Sequence, residues 1–319
     1  MNKINIPWLD TVVQSWQSSL TQGRPPHALM ITGAAGTGKR AAAVWLARQR
    51  LGLAPLDGLP QFPLTIPEHA DLRWITTPED KHAIGIEQIR TLVGDLSLTS
   101  YAGGSKVAVI EPADVMTTSA ANSLLKTLEE PPGDTLLILV TDRLGRLPAT
   151  IYSRCQRVSV RVPAEREGLA WLQKIQPGAT WAKVLREAGN APLAALRGQE
   201  RIDDTDAMSS DFIAIAGGKG APLVVAAKWA KYEPEFVLGW LSRQVQSCIT
   251  RVAGGESAGV SAMLGDSVLG RIDRRNLFCY LDVINRLRGQ AIGSFNVQLT
   301  LECLLIDWSN GLQTVLGTE

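Results

Sequence analysis

Apolar residues in the first half of the chain arrive in short unbroken runs, whereas in the second half they recur at every third or fourth position. The runs ALMIT (Ala28–Thr32), KVAVI (Lys106–Ile110) and TLLILVT (Thr135–Thr141) are nearly continuous. Strands of a parallel sheet read this way when helices cover both faces and neither face meets water. Asp71–Thr76 and CQRVSV (Cys155–Val160) predict two more strands. Helical periods lie between them. KRAAAVWLARQRL, from Lys39, has the Ala and Arg content of a helix. Ile86, Ile89, Val93 and Leu96 share one helical face, and Ala121, Leu124, Leu125 and Leu128 share another that stops at Pro131–Pro132. This alternation predicts a doubly wound α/β domain over residues 1–163.

Beyond Pro163 the strand signal fades. Glu165 to about Gln199 predicts three small helices, broken at Pro177–Gly178 and at Ala188–Gly189–Asn190, as a small helical domain over residues 164–205. The polar stretch QERIDDTDAMSSD (Gln199–Asp211) has the acidic and turn character of a linker. An all-α domain over residues 206–319 follows, with one stripe at Val237, Trp240, Leu241, Val245, Cys248 and Val252 and another at Leu277, Tyr280, Leu281, Ile284 and Leu287. Stripes of this kind build a core, and one edge of a bundle also suits a neighbouring subunit; spacing does not separate the two uses.

Composition narrows the function classes. A chain of 319 residues with 45% hydrophobic content exceeds one ordinary core. Its 32 basic and 31 acidic residues nearly cancel, so any contact with DNA has to be local rather than driven by a global positive field. No window approaches the roughly 20 apolar residues that span a bilayer, which argues against a membrane and for the cytoplasm. Cys155, Cys248, Cys279 and Cys303 form no CxxC pair, and His27, His69 and His82 show no ligand spacing, so neither zinc nor any other metal is expected.

The chemical motif is Gly33-Ala34-Ala35-Gly36-Thr37-Gly38-Lys39, placed between a predicted strand and a predicted helix. Gly33, Gly36 and Gly38 let the backbone wrap around phosphates, Thr37 lies in the wrapping segment, the helix N-terminus offers unpaired N–H groups, and Lys39 supplies positive charge. A Gly-rich turn that happens to end in Lys is the bland alternative. Where a phosphate loop follows its Lys with a hydroxyl for Mg²⁺, this chain has Arg40, which has no lone pair to offer. After KVAVI, where an NTPase presents two acids, the pair is Glu111–Pro112. Glu111 keeps an acid at the metal-binding position, but Pro112 cannot act as a base. A positioned acid or base is worth about 10²–10⁴ in rate, so hydrolysis is expected to be marginal.

AANSLLKTLEEPP (Ala120–Pro132) and LILVTDRLGRLPATIYSRCQRV up to Val158 closely resemble bacterial clamp-loader subunits of the AAA+ class. HALMITGAAGTGK, HADLRWI (His69–Ile75) and IGIEQIRTL (Ile84–Leu92) look specifically like the delta-prime type of DNA polymerase III. The resemblance covers about half the chain. It implies an AAA+ RecA-like parallel-sheet P-loop domain, a small helical lid and an all-α collar that builds the oligomer. It also implies a hetero-pentamer with delta and the gamma or tau ATPases, which opens a sliding clamp for placement on primer-template DNA. Arg154, in Ser153-Arg154-Cys155, matches an arginine finger that acts on a neighbour's γ-phosphate; a surface ion pair is its other reading. Thr141 matches a sensor position near the γ-phosphate, or is a strand-end Thr bonding locally. Pro192 stands where active relatives carry a phosphate-sensing Arg, and Arg197 lies a turn later at the wrong spacing. Leu51–Phe62 lacks the four-cysteine zinc module of many delta-prime relatives.

Three functions follow as expectations. The first is a largely ATPase-inactive delta-prime-like subunit that requires no cofactor and binds ATP or ADP weakly. The second is an active gamma/tau-type AAA+ motor, which Arg40 and Pro112 argue against. The third, a stand-alone P-loop kinase or nucleic-acid-binding module, conflicts with the Ser-Arg-Cys segment, the helical tail and the near-zero charge.

Overall fold

The structure, a computed structural model, describes residues 3–53, 58–78, 81, 83–142, 145, 147–255, 260–265, 269–288 and 295–313. His82 and part of Leu51–Phe62 lie outside the described residues. The chain divides into two compact units, residues 1–181 with 190–196 and residues 182–189 with 197–319.

In chain order the first unit contains β1 (Ile4–Asn5), α1 (Asp10–Thr21), β2 (Ala28–Thr32), α2 (Lys39–Arg50), β3 (Gln61–Phe62), β4 (Leu72–Ile75), α3 (Ile86–Ser97), β5 (Lys106–Ile110), α4 (Thr118–Glu129), β6 (Thr135–Thr141), α5 (Ala149–Tyr152), β7 (Gln156–Ser159) and α6 (Glu165–Ile175). Five strands form one parallel sheet in the order β4-β5-β6-β2-β7. Every residue of β2, β5 and β6 is buried, as their unbroken apolar runs require. In register, Ile31 of β2 sits opposite Val140 of β6 and Val158 of β7. One face of the sheet packs Met30, Ala108 and Leu137 against Ile89 and Leu92 of α3 and Leu124 and Leu128 of α4. Each of the Met, Ile and Leu side chains contributes roughly 1.5–3 kcal/mol on leaving water.

Because the strands are parallel, the residues that follow β2, β5 and β6 emerge at the same edge. In open α/β sheets that carboxyl edge is where ligands bind. At the opposite edge the buried carboxylate of Asp71 accepts from the N–H groups of Tyr101 (2.8 Å) and Ala102 (3.0 Å) and from Ser100 Oγ (3.0 Å), tying the loop after α3 to the start of β4. Burial by itself would raise its pKa. The donors of Ala102, Tyr101 and Ser100, with His69 nearby, outweigh it and hold the carboxyl below its ordinary range.

The antiparallel pair β1–β3 was not predicted; two residues per strand are too few to show alternation.

The unit boundary runs through α7 (Trp181–Glu187) and α8 (Pro192–Gln199). The second unit then contains α9 (Ile202–Ala216), α10 (Pro222–Trp229), α11 (Pro234–Val252), α12 (Val260–Met263), α13 (Arg274–Arg288) and α14 (Val297–Ser309). The expected linker at Gln199–Asp211 is overturned: most of it belongs to α9. Asp203 and Asp204 fall in the first turn, where their charge complements the helix dipole, and Met208, Phe212 and Ile215 bury one face. The acidic character is therefore that of a helix start. Phe212 stacks on Trp308 at 4.2 Å and 9°, and Trp240 meets Phe212 edge-on at 5.6 Å. Trp308 Nε1 donates to Phe212 O at 3.2 Å, so the buried indole keeps its hydrogen bond. Cys248 is buried in this core, and Cys279 and Cys303 are half-buried.

Candidate phosphate-loop site

The segment from Gly33 to Lys39 joins the end of β2 to the start of α2, as the motif requires. Its backbone turns through φ +145° at Gly33, +77° at Gly36 and +98° at Gly38, a region that side chains disfavour. Close approach adds a second demand. A Cβ at Gly33 would stand 2.4 Å from Val160 O, and one at Gly36 would stand 2.4 Å from Ala194 Cβ. The loop is held from three sides. Trp8 Nε1 donates to Thr37 O at 2.7 Å, Thr37 Oγ1 donates to Ala34 O at 2.8 Å, and Leu193 N, in the first turn of α8, donates to Gly36 O at 3.0 Å.

Lys39 is buried and its ammonium is turned inward. Nζ donates to Gly33 O (2.9 Å) and Ala34 O (2.6 Å) and pairs with Asp142 Oδ1 at 2.5 Å. Asp142 follows β6 and was not foreseen as a partner. A phosphate entering the loop has to take over bonds that Lys39 now makes within the chain.

Arg40 lies beside the end of β5. Its Nε pairs with Glu111 Oε2 at 3.2 Å, its guanidinium sits 5.8 Å from the Trp74 ring centroid, and Trp74 Nε1 donates to the same Glu111 oxygen at 3.2 Å. Burial is the largest influence on Glu111 and leaves its pKa above the usual carboxylate range. Arg40 and the Trp74 bond act in the opposite direction without overcoming it. The Mg²⁺ ion that the family implies at such a loop does not fit these residues. The hydroxyl after Lys39 is missing, and the acid that would ligate the ion is engaged by a guanidinium.

Thr141, at the end of β6, is buried and donates through Oγ1 to Asp114 Oδ1 at 2.9 Å. This bond runs to a side chain 27 positions away, not to a neighbouring backbone group as a strand-end Thr bonding locally would make it.

Ser153 and Arg154 follow the short helix α5. Arg154 Nε donates to Glu129 Oε1 at 2.6 Å, and Nη1 donates to Thr150 O at 3.0 Å and to Ser153 Oγ at 3.2 Å. Glu129 closes α4, the end of a helix that disfavours negative charge, so a basic partner there relieves it. The side chain of Arg154 remains about 33% exposed. Cys155 is buried, and burial pushes its thiol up to about 12, which makes it a packing group rather than a nucleophile.

Sequence reasoning located the loop, Glu111, Thr141 and Arg154, but it missed Trp8, Trp74, Glu129, Asp142 and Leu193. The missed residues act across 29 or more positions of chain in the Trp8 and Trp74 contacts, and no local pattern marks them. Among the described residues no group of three or more His, Cys, Asp or Glu could hold a metal ion, and no helix is long and apolar enough to cross a membrane.

Residues 8–164 match the family model described as DNA polymerase III, delta subunit. The chain is 35% identical over 201 residues to DNA polymerase III subunit delta' of Pseudomonas aeruginosa, covering 60% of each chain. It is 37% identical over 150 residues to the same subunit of Bacillus subtilis, covering 46% of this chain and 45% of that one. The alignments therefore span at most about 60% of the length of these relatives. Among solved structures, a DNA polymerase III gamma subunit-related protein from Thermotoga maritima superimposes with a TM-score of 0.50 at 21% identity, over 96% of this chain and 99% of that chain. That likeness supports the fold, an AAA+-like parallel sheet followed by helices. With its phosphate loop at the carboxyl edge of the sheet and its Ser-Arg-Cys corner, the α/β part of this chain, residues 8–164, belongs to the DNA polymerase III clamp-loader subunit family.

Proposed function

We propose that this chain is a delta-prime-type subunit of a bacterial clamp loader: a largely ATPase-inactive stator that binds ATP or ADP weakly and lends Arg154 to a neighbour's nucleotide. Delta and gamma or tau subunits are its partners in a cytoplasmic hetero-pentamer, and the sliding clamp and primed DNA are reached through that complex. In this reading residues 1–163 form the P-loop domain and the helices beyond it supply the lid and then the collar, with α9 (Ile202–Ala216) left whole.

The observation that carries the proposal is the Arg40–Glu111 ion pair at 3.2 Å. It stands where a working site holds a hydroxyl, a metal and an acid, and Pro112 follows where a second acid would orient water. An incompetent site leaves the phosphate-loop frame useful for its shape and its edge. Arg154 supports the trans role because its partner Glu129 is an exposed carboxylate. An exposed ion pair is worth about 0.2–1 kcal/mol, so exchanging it for a triphosphate costs little. A finger can supply about 10³–10⁵ in rate by stabilising charge on the transferring phosphoryl oxygens.

The test compares ATP hydrolysis by the isolated chain with that of a reconstituted loader carrying either this chain or its Arg154→Ala variant, with clamp and primed DNA present. Negligible hydrolysis alone, together with strong loss of DNA-dependent hydrolysis in the variant complex, is the expected result. Robust hydrolysis by the isolated chain would make it a motor, and a fully active variant complex would reduce Arg154 to its bond with Glu129.

A further inference from the structure

We infer that the Arg40 guanidinium takes the place of the divalent cation at this phosphate loop, so that the loop accepts a nucleoside di- or triphosphate in its metal-free form. The inference rests on the weak nucleotide binding proposed above and adds which ionic form of the ligand binds and why.

Arg40 is the second residue of α2, directly after Lys39, where the metal-bearing hydroxyl of a phosphate loop is expected. Its side chain is directed at Glu111, the acid at the end of β5, with Nε 3.2 Å from Oε2. Glu111 is not free to turn to another cation. Its side chain is only 17% exposed, and Trp74 Nε1 donates to the same oxygen from β4 at 3.2 Å. The Trp74 ring, 5.8 Å from the guanidinium, adds a second attraction for a positive charge at this point. A hydroxyl, an ion and a carboxylate are thus replaced by a guanidinium, a carboxylate and an indole.

Charge points the same way. Lys39 and Arg40 carry two positive charges, and their partners Asp142 and Glu111 carry two negative ones. A nucleotide that displaces Asp142 from Lys39 meets an ammonium and a half-exposed guanidinium, which offers several N–H donors to phosphate oxygens. If the nucleotide brings Mg²⁺, two further positive charges arrive beside Arg40, while Glu111, the acid at the end of β5, is already paired with that guanidinium. Repulsion at such range is worth enough to change affinity several-fold even at a high effective dielectric constant. Metal-free nucleotide is therefore the favoured form.

Calorimetric titration of the full-length chain with ATP and with ADP, in EDTA and in excess Mg²⁺, tests this. Binding in EDTA, weakened about threefold or more by Mg²⁺, is expected for the natural chain. Arg40→Ser restores the hydroxyl and frees Glu111; its binding should become tighter in Mg²⁺ than in EDTA by about tenfold. Arg40→Lys keeps a positive charge and should still prefer the metal-free ligand, which guards against a Ser variant that merely fails to fold. Electron paramagnetic resonance of added Mn²⁺ gives an independent readout: with nucleotide present, the ion should be immobilised by Arg40→Ser and stay in bulk with the natural chain. Binding by the natural chain that requires Mg²⁺, or Mn²⁺ held at its site, would overturn the inference. Absence of binding under every condition would overturn it together with the weak nucleotide binding, while the trans role of Arg154 stands or falls separately in the reconstituted loader.

Discussion

Replacing Gly36 by Ala tests how firmly the first turn of α8 is seated on the phosphate loop. Two costs add. The residue has φ +77°, and an L side chain in the left-handed region costs about 1–2 kcal/mol. The new Cβ would also stand 2.4 Å from Ala194 Cβ and 2.5 Å from Ala194 N, against the roughly 3.5–4.0 Å of a favourable contact. Neither atom is the free end of a flexible side chain, so α8 itself has to shift. That shift strains the Leu193 N to Gly36 O bond of 3.0 Å, worth about 0.5–1.5 kcal/mol, within an overpacking cost of about 1–3 kcal/mol. The total is about 2–5 kcal/mol, or roughly 4–20 °C in melting temperature for a unit of this size. Gly52→Ala is the matched control, because Gly52 has φ +66° and nothing within 4 Å of the added Cβ. It should lose only the backbone cost of about 1–2 kcal/mol. Thermal unfolding followed by circular dichroism compares the two variants. If Gly36→Ala falls no further than Gly52→Ala, α8 does not pack on the loop and the account of how the loop is held is wrong.

Two other perturbations probe the frame around the site. The folded pKa of Asp71 lies below its unfolded value, so its stabilising contribution is present above the ordinary carboxylate pKa of about 4 and is lost as pH falls through the folded value. Asp71→Asn should lower the urea midpoint at neutral pH and flatten its decline on acidification; an unchanged acid limb would show that the three donors do not hold the charge. Phe212→Ala removes the ring stacked on Trp308 in a fully buried cluster and should cost about 3–5 kcal/mol, read from the denaturant midpoint by tryptophan fluorescence. A loss under 1 kcal/mol would mean that the cluster is not packed as described.

Local pattern and local chemistry were sufficient for much of this molecule. The unbroken runs at β2, β5 and β6 determined a parallel sheet covered on both faces, because only strands shielded from water on each side lack polar positions. The spacing of Gly33, Gly36 and Gly38 before Lys39 determined a tight glycine turn between strand and helix, and Arg40 with Pro112 marked the positions on which the proposed loss of hydrolysis rests. Patterns failed where their signal is short or shared. The two-residue strands β1 and β3 show no period, and Asp203, Asp204 and their polar neighbours look the same in a linker as in the first turns of α9 until the burial of Met208 and Phe212 is known.

Only the tertiary structure decided who meets whom at the sheet edge. Trp74 and Asp142 reach their partners because parallel strands bring distant segments to the carboxyl edge, and Glu129 meets Arg154 before the starts of β6 and β7 at the opposite edge. Trp8 and Leu193 come to the loop from helical segments packed beside it; all of these are properties of topology rather than of neighbours in the chain. The sequence could state that Arg40 is no metal ligand. It took the packing of β4 beside β5 to place Trp74 and Glu111 within reach of its guanidinium, since an ion pair depends on distance in space, which the order of residues leaves open.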